Sequence, residues 1–330
     1  MSETEKIKIL AVAGPTASGK TALSIALAKR LGGEIVACDS MQVYRGMDIG
    51  TAKPTRAEQE GIPHHLMDVT DPSVPFSAAD YVSLAGEKIA EIHARGKLPI
   101  LCGGTGMYLD SLLRGGFEET RSDPALRKEL FAFAEGHGVH ALHARLRAVD
   151  PAAAEAIHAN NVSRVVRALE IYLTTGITKT EADLRSRSFP SPYDAVVIGL
   201  CDPGRTVLYQ RIEARVRQML RDGLWEEVRR LDDAGVFSQN STAAQAIGYK
   251  EALAFLHGEG TEEDAEKRIV LATRHYAKRQ MTWFQAKPYV HWVRITDGDR
   301  LRPQEELLSE ALRLFAAPDT DSGGTKEETV

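Results

Sequence analysis

An α/β fold, with a parallel sheet flanked by helices and interrupted by a helical insertion, is what this sequence predicts. Three observations lead there. Short apolar strands alternate with helical spacings over the first third of the chain. A glycine-rich turn, "GPTASGKT", follows the first of these strands and opens a helix. From about Gly116 to Pro192 helical patterns replace strands, and strand character returns only at "AVVIGLC", residues 195 to 201.

Taken in order, Ile7 to Ala13 is an apolar run ending at Gly14, the pattern of a strand buried on both faces. Thr21 to Leu31 carries Leu23, Ala26, Leu27 and Leu31 at helical spacing. Glu34 to Cys38 is a second short strand that stops at Asp39. Asp80 to Arg95 is a helix, and Leu98 to Cys102 is a third strand closed by the turn "GGTG", Gly103 to Gly106. Within the insertion, "SDPALRKEL" and "DPAAAEAI" place Asp before Pro at helix starts, and "NNVSRVVRALEIYLTTG" is a helix stopped by Gly176. "SFPSPYDA" reads as a linker, the last third as mostly helix, and "YVHWVRI" as a final strand. These elements divide the chain into a core of residues 6–115 and 193–315, an insertion of residues 116–192, and a polar tail, 316–330, expected to be disordered.

The 330 residues carry a formal net charge of −5, so no bulk positive field advertises nucleic acid, and any RNA surface must be a local patch. Cys38, Cys102 and Cys201 form no C-x-x-C pair, which suggests neither zinc nor a disulfide framework and fits a reduced cytoplasm. Met1 to Lys8 is charged and lacks a signal-like apolar stretch, and no apolar run approaches membrane-spanning length.

Gly14 to Thr21 fits G-x-x-x-x-G-K-[ST] between a strand and a helix, the context a P-loop requires. The core is therefore P-loop NTPase-like. The backbone N–H groups of Pro15-neighbouring Thr16, Ala17, Ser18 and Gly19 converge on phosphate in such a loop. Lys20 adds a point charge, and the Thr21 hydroxyl suits Mg²⁺. Companions of a motor ATPase or GTPase are missing: the third strand ends in glycines where a Mg²⁺-holding Asp is usual, and no Asn-Lys-x-Asp guanine reader follows. In parallel sheets ligands bind beyond the carboxyl ends of strands, where Gly14, Asp39 and "GGTG" all fall.

Asp39 has three readings on chemistry alone: a turn residue, a proton acceptor for an incoming nucleophile, or a holder of Mg²⁺ through water. Thr105 can bond a phosphate or nucleobase, or cap a helix. "PHHLMD", Pro63 to Asp68, resembles a metal box, but adjacent histidines do not face one site on a regular element, which favours a structural or surface role. Arg215, on an amphipathic helix, reads from its residues alone as a solvated face or ion pair.

The blocks "GPTASGKTALSIALA", "DSMQVYRGMDIGTAKP", "PHHLMDVTDP", "FSAADY", "PILCGGTGMYLDSLL", "RVVRALEIY", "QRIEARVRQML", "AIGYKE" and "TRHYAKRQMTWF" together resemble the bacterial tRNA dimethylallyltransferase (tRNA isopentenyltransferase) family, in order from about residue 7 to 295. The resemblance implies a reaction. The dimethylallyl group of dimethylallyl diphosphate passes to N6 of the adenosine 3′ of the anticodon in tRNAs reading codons that begin with U, releasing diphosphate. It implies Asp39 as general base, Lys20, Arg215 and Mg²⁺ at Thr21 as stabilisers of the leaving diphosphate, and Thr105 and Arg127 as tRNA contacts near the reacting base. It also implies tRNA contacts along Asp39, Ser40, Met41 and Gln42. Eukaryotic relatives often add a Cys-Cys-His-His zinc finger, and this chain carries none.

Three further stretches suit an anticodon stem-loop. One is Ser163, Arg164, Val165, Val166 and Arg167. The second is Gln245, Ala246, Ile247, Gly248, Tyr249 and Lys250. The third is Lys278, Arg279 and Gln280 with Trp283. On composition, Trp283 and Phe284 read more readily as core than as stacking platforms. Rival readings are a P-loop small-molecule kinase, which would bind ATP and move its γ-phosphoryl group, an adenylate isopentenyltransferase, and a P-loop switch without chemistry. The expected protein is a cytoplasmic monomer.

Overall fold

The structure, a computed structural model, describes residues 6–114, 122–188 and 190–317. The predicted polar tail beyond residue 317 and the start of the predicted insertion, 116–121, lie outside the described residues. The chain forms two compact units, one of residues 1–110 with 193–330 and one of residues 111–192.

The first unit opens with β1 (Ile7–Ala13), α1 (Lys20–Leu31), β2 (Gly33–Ala37), β3 (His64–His65), α2 (Ala78–Ala94), β4 (Leu98–Cys102) and α3 (Gly106–Leu113), the last of which runs into the second unit. The second unit continues with α4 (Pro124–His137), α5 (Val139–Val149), α6 (Pro151–Ala156), α7 (Val162–Thr175) and α8 (Lys179–Ser188). The first unit resumes with β5 (Tyr193–Cys201), α9 (Thr206–Arg221), α10 (Leu224–Asp233), α11 (Val236–Gln239), α12 (Ser241–Ala244), α13 (Tyr249–Leu256) and α14 (Glu262–Gln285). It ends with β6 (Val290–Arg294), the short pair β7 (Thr296–Asp297) and β8 (Arg300–Leu301), and α15 (Gln304–Ala316).

The sheet order is β3-β2-β4-β1-β5-β6, parallel throughout. Central β1 pairs Leu10 with Ile100 of β4 and with Val196 of β5, so both its edges are occupied. It is buried from Ile9 to Ala13, which is why its sequence is a continuous apolar run instead of an alternation. The chain leaves β1 towards β2 on one side and later crosses to β5 on the other. That reversal opens a crevice at the carboxyl ends of β1 and β4.

Local signals set most boundaries. Gly32 adopts φ 67° and returns its N–H to Ala28, ending α1. Ser77 and Asp80 form a capping box at α2, and Thr261 and Asp264 do so at α14. Asp123 and Asp150 cap α4 and α6 ahead of Pro124 and Pro151, and Gly176 stops α7, as the sequence predicts. Two strand features differ from expectation. "AVVIGLC" begins its strand two residues earlier, at Tyr193. "PHH" supplies an edge strand, β3, that no periodicity announces because it is two residues long. His65 Nε2 lies 2.7 Å from Glu34 Oε2, which Arg95 also reaches at 2.7 Å, so this histidine belongs to the sheet edge and not to a metal box. Among the described residues no helix is long and apolar enough to cross a membrane.

Candidate active site

A cavity of about 340 Å³ opens over the carboxyl ends of β1, β2 and β4. Its lining includes Thr16, Lys20 and Thr21 from the glycine-rich loop, Asp39 to Gln42 beyond β2, Gly103 and Gly104 beyond β4, Arg215 from α9, and Gln245 to Tyr249 leading into α13. Ile212, Val216, Met219 and Ile269 add apolar surface.

The loop wraps the start of α1. Gly19 takes φ 96° as its N-cap, so no side chain caps the first N–H groups of the helix. Ala17 is held at φ 63°, a strained value for a residue with a Cβ, and Arg211 Nε donates to its carbonyl at 2.7 Å. Lys20 Nζ donates to Pro15 O at 2.7 Å. Burial, aided by the neighbouring Arg215 charge, lowers the Lys20 ammonium to about 8, against opposing attraction from Cys102 and Asp39. Arg215 is also lowered by burial, and its Nη1 lies 3.4 Å from Thr16 Oγ1. It is thus not on a solvated face, because the buried stripe Leu208, Ile212 and Val216 turns Arg211 and Arg215, one helical turn apart, towards the loop.

Asp39 Oδ1 accepts from the N–H of Met41 at 2.8 Å and of Gln42 at 3.3 Å, the turn geometry its position predicts. Among the described residues no hydrogen bond takes up Oδ2, which leaves that oxygen for the cavity. Thr105 Oγ1 accepts from Ser40 N at 3.1 Å and so ties "GGTG" to the Asp39 turn. A Cβ on Gly106 would overlap the Trp283 ring, so glycine there lets α14 pack against this turn.

Other predicted residues take different places. Gln280 is buried at 5% exposure and bonds Thr16 N and Gly104 O. Tyr249 is fully buried and donates to Glu227 Oε1 at 2.6 Å, and Ala246 is buried too, so neither is a surface platform. Phe284 is core, whereas Trp283 remains 38% exposed, which corrects the shared reading of that pair. Lys250, Lys278 and Arg279 are exposed. In the second unit Ser163 and Arg164 are exposed, while Val165 and Val166 are buried core and offer no side chain to a surface. Arg127 Nε meets both oxygens of buried Glu170 at 2.9 Å, and Arg167 Nη1 reaches it at 2.6 Å. Burial opposes the Glu170 charge, yet Arg167, the Asp123 N–H and Arg127 hold its carboxyl below the usual range.

Glu227 is a participant no local motif revealed. Its carboxylate accepts the N–H groups of Asp48, Ile49 and Gly50 at 2.9–3.1 Å and so anchors the loop whose Gly50, Thr51 and Ala52 line the cavity. The partners are distant in sequence, so only the folded chain brings them together.

Among the described residues no group of three or more His, Cys, Asp or Glu forms a metal cage. Mg²⁺ carried by phosphates needs only one or two protein oxygens. Thr21 and Asp39 both line the cavity and are such donors, so the residues fit that ion.

A pH dependence follows from Lys20. Its charge is present below pH 8 and lost above it, so affinity for inorganic diphosphate is expected to fall by up to about tenfold per pH unit from pH 8 upwards. Calorimetric titration of the free protein from pH 7 to 9.5 checks this, and a flat profile contradicts it. Stability moves the other way. Between pH 8 and the ordinary lysine value of 10.5 the unfolded chain binds more protons than the folded one, so this group's destabilising effect fades as pH rises.

Residues 42–287 match the family described as IPP transferase. The chain is 50% identical over 295 residues to a tRNA dimethylallyltransferase of Halalkalibacterium halodurans, covering 89% of this chain and 93% of that protein. It is 49% identical over 297 residues to a tRNA dimethylallyltransferase of Bacillus subtilis, covering 90% and 93%. Among solved structures, the full-length tRNA isopentenylpyrophosphate transferase of Bacillus halodurans aligns with a TM-score of 0.69 at 46% identity, covering 94% of this chain and 96% of that one. A eukaryotic dimethylallyltransferase acting on tRNA aligns with a TM-score of 0.73 at 33% identity, covering 88% and 74%.

Proposed function

This chain belongs to the IPP transferase family and prenylates adenosine in tRNA, and from that premise we propose how its own residues carry the reaction. The donor is dimethylallyl diphosphate, and the acceptor is N6 of the adenosine 3′ of the anticodon in tRNAs reading codons that begin with U. The supporting observation is a single cavity lined by the cationic cradle, Lys20 and Arg215, together with the carboxylate of Asp39.

The adenine N6 lone pair attacks C1 of the dimethylallyl group. The C1–O bond breaks, and its electron pair leaves on diphosphate. The N6 proton passes to Asp39 Oδ2. Because that lone pair is delocalised into the ring, removing the proton as the bond forms helps the attack. Lys20, Arg215 and the loop N–H groups other than that of Thr16, which Gln280 Oε1 takes up, meet the charge growing on the departing diphosphate. Thr21 would hold Mg²⁺, which would supply charge neutralisation for the diphosphate. Ile212, Val216, Met219 and Ile269 give the five-carbon group an apolar environment. The target adenine leaves the anticodon-loop stack to reach this cavity.

For tRNA we assign the exposed Arg164, Lys250, Lys278, Arg279 and Trp283 to contact, with the second unit reading the stem chiefly by its backbone. The reaction belongs to the cytoplasm, and one chain supplies every residue it uses.

The test is prenyl transfer from radiolabelled dimethylallyl diphosphate, with Mg²⁺ and either unmodified tRNA or AMP. Label in tRNA supports the reading, label in AMP assigns a free-nucleotide acceptor, and ATP consumption without prenyl transfer assigns a kinase. Arg164→Ala is expected to weaken tRNA binding several-fold and to flatten its salt dependence by about one charge. An unchanged dissociation constant removes Arg164 from the interface.

A further inference from the structure

On the reading above, we propose that Gln280 is a positioning residue. It holds the diphosphate loop and the Gly103–Gly106 turn at one separation, so that the breaking C1–O bond stays aligned with the incoming N6. Its Oε1 accepts the N–H of Thr16 at 2.8 Å, and its Nε2 donates to Gly104 O at 3.0 Å. One partner can only donate and the other only accept, so the amide has a single satisfied orientation. Both ends of the amide are occupied within the protein, and the residue is only 5% exposed where it lines the cavity.

The bridge continues in both directions. On the donor side, the same Thr16 meets Arg215 Nη1 through its hydroxyl at 3.4 Å. On the acceptor side, Thr105, next to Gly104, receives the N–H of Ser40, which follows Asp39. A series of hydrogen bonds thus joins the arginine of the leaving-group cradle to the turn of the base, and Gln280 is the member that spans the two loops. Rigid backing comes from α14, where Ala277, Met281 and Phe284 are buried around it. Gly104 completes the fit, since a Cβ there would overlap Gln280 Nε2.

A residue of this kind governs rate more than binding, because misplacing reactants by about 1 Å costs on the order of 10²-fold. Methionine nearly matches glutamine in length and makes neither hydrogen bond. Gln280→Met is expected to lower kcat about 10²-fold, with KM for tRNA and Kd for inorganic diphosphate within about threefold of the parent. Gly104→Ala displaces the amide from the opposite side and should give the same split. The double variant should lose little more than either single one, because both remove one bridge.

Turnover of Gln280→Met within about twofold of an active parent overturns the positioning role. So does a matching loss of diphosphate affinity, which would make Gln280 part of the cradle, or additive losses in the double variant. If Gln280→Met does not fold, Gly104→Ala decides by the same split. A parent that transfers no prenyl group to tRNA refutes the proposed function itself, a result separate from any difference between variants.

Discussion

Asp39→Asn is expected to lower kcat about 10²–10⁴-fold while tRNA binds within about twofold of the parent. Asparagine keeps an oxygen where Oδ1 accepts from Met41 and Gln42, so the turn that carries Ser40 and Gln42 stays formed. What it lacks is a basic oxygen for the N6 proton. Asp39→Ala removes both functions and should show the same rate loss with some loss of thermal stability. Single-turnover prenyl transfer at saturating tRNA, paired with filter binding, separates the two effects. Asp39→Asn turning over at the parental rate removes the base assignment. Equal losses in binding and rate would instead place Asp39 in recognition of tRNA.

Lys20→Met carries the second large expected effect, and its two consequences have opposite signs. Turnover should fall about 10²–10³-fold, because the leaving diphosphate loses a buried positive charge aimed at it. The ligand-free protein should become more stable at pH 7, with Tm rising about 2 °C or more. Burial beside Arg215 is what depresses the Lys20 pKa to about 8, and that depression measures how unfavourable the charge is before a counter-anion arrives. Among the described residues the one hydrogen bond of Lys20 goes to the Pro15 carbonyl, at 2.7 Å, and the attraction of Asp39 does not offset the burial. Inorganic diphosphate should accordingly raise the Tm of the parent by more than it raises that of Lys20→Met, which keeps Arg215. A Tm that falls in Lys20→Met shows the ammonium to be a net structural support. A turnover that survives shows that Arg215 and the loop N–H groups suffice.

Much of the fold was legible because its signals are local. Ile7 to Ala13 is apolar throughout, Gly14 to Thr21 has fixed spacing, and Asp-Pro pairs and Gly176 bound helices within a few residues of chain. The two-residue strand β3 was not legible, since a strand that short has no period and exists only because β2 offers it an edge. Arg215 shows the same limit at the site. Its residues alone allow a solvated face, and only the packing of α9 against the core turns it to Thr16. Glu227, Tyr249 and Gln280 make contacts across the chain that leave no mark on neighbouring residues. Trp283 and Phe284 are adjacent and chemically alike, yet the turn of about 100° between neighbours on α14 leaves one exposed and one buried.

By itself, then, the sequence determined the α/β class, the phosphate loop, the strand-end place of Asp39 and, through its ordered blocks, the family. Each depends on residue type at short spacing, where backbone geometry leaves few alternatives. Tertiary structure alone decided which side chains share the cavity, that Lys20 is held there at a depressed pKa, and that one buried glutamine joins the two loops. Those depend on distances between segments far apart in the chain and on the exclusion of water from them, and neither is set until the sheet and α14 have packed.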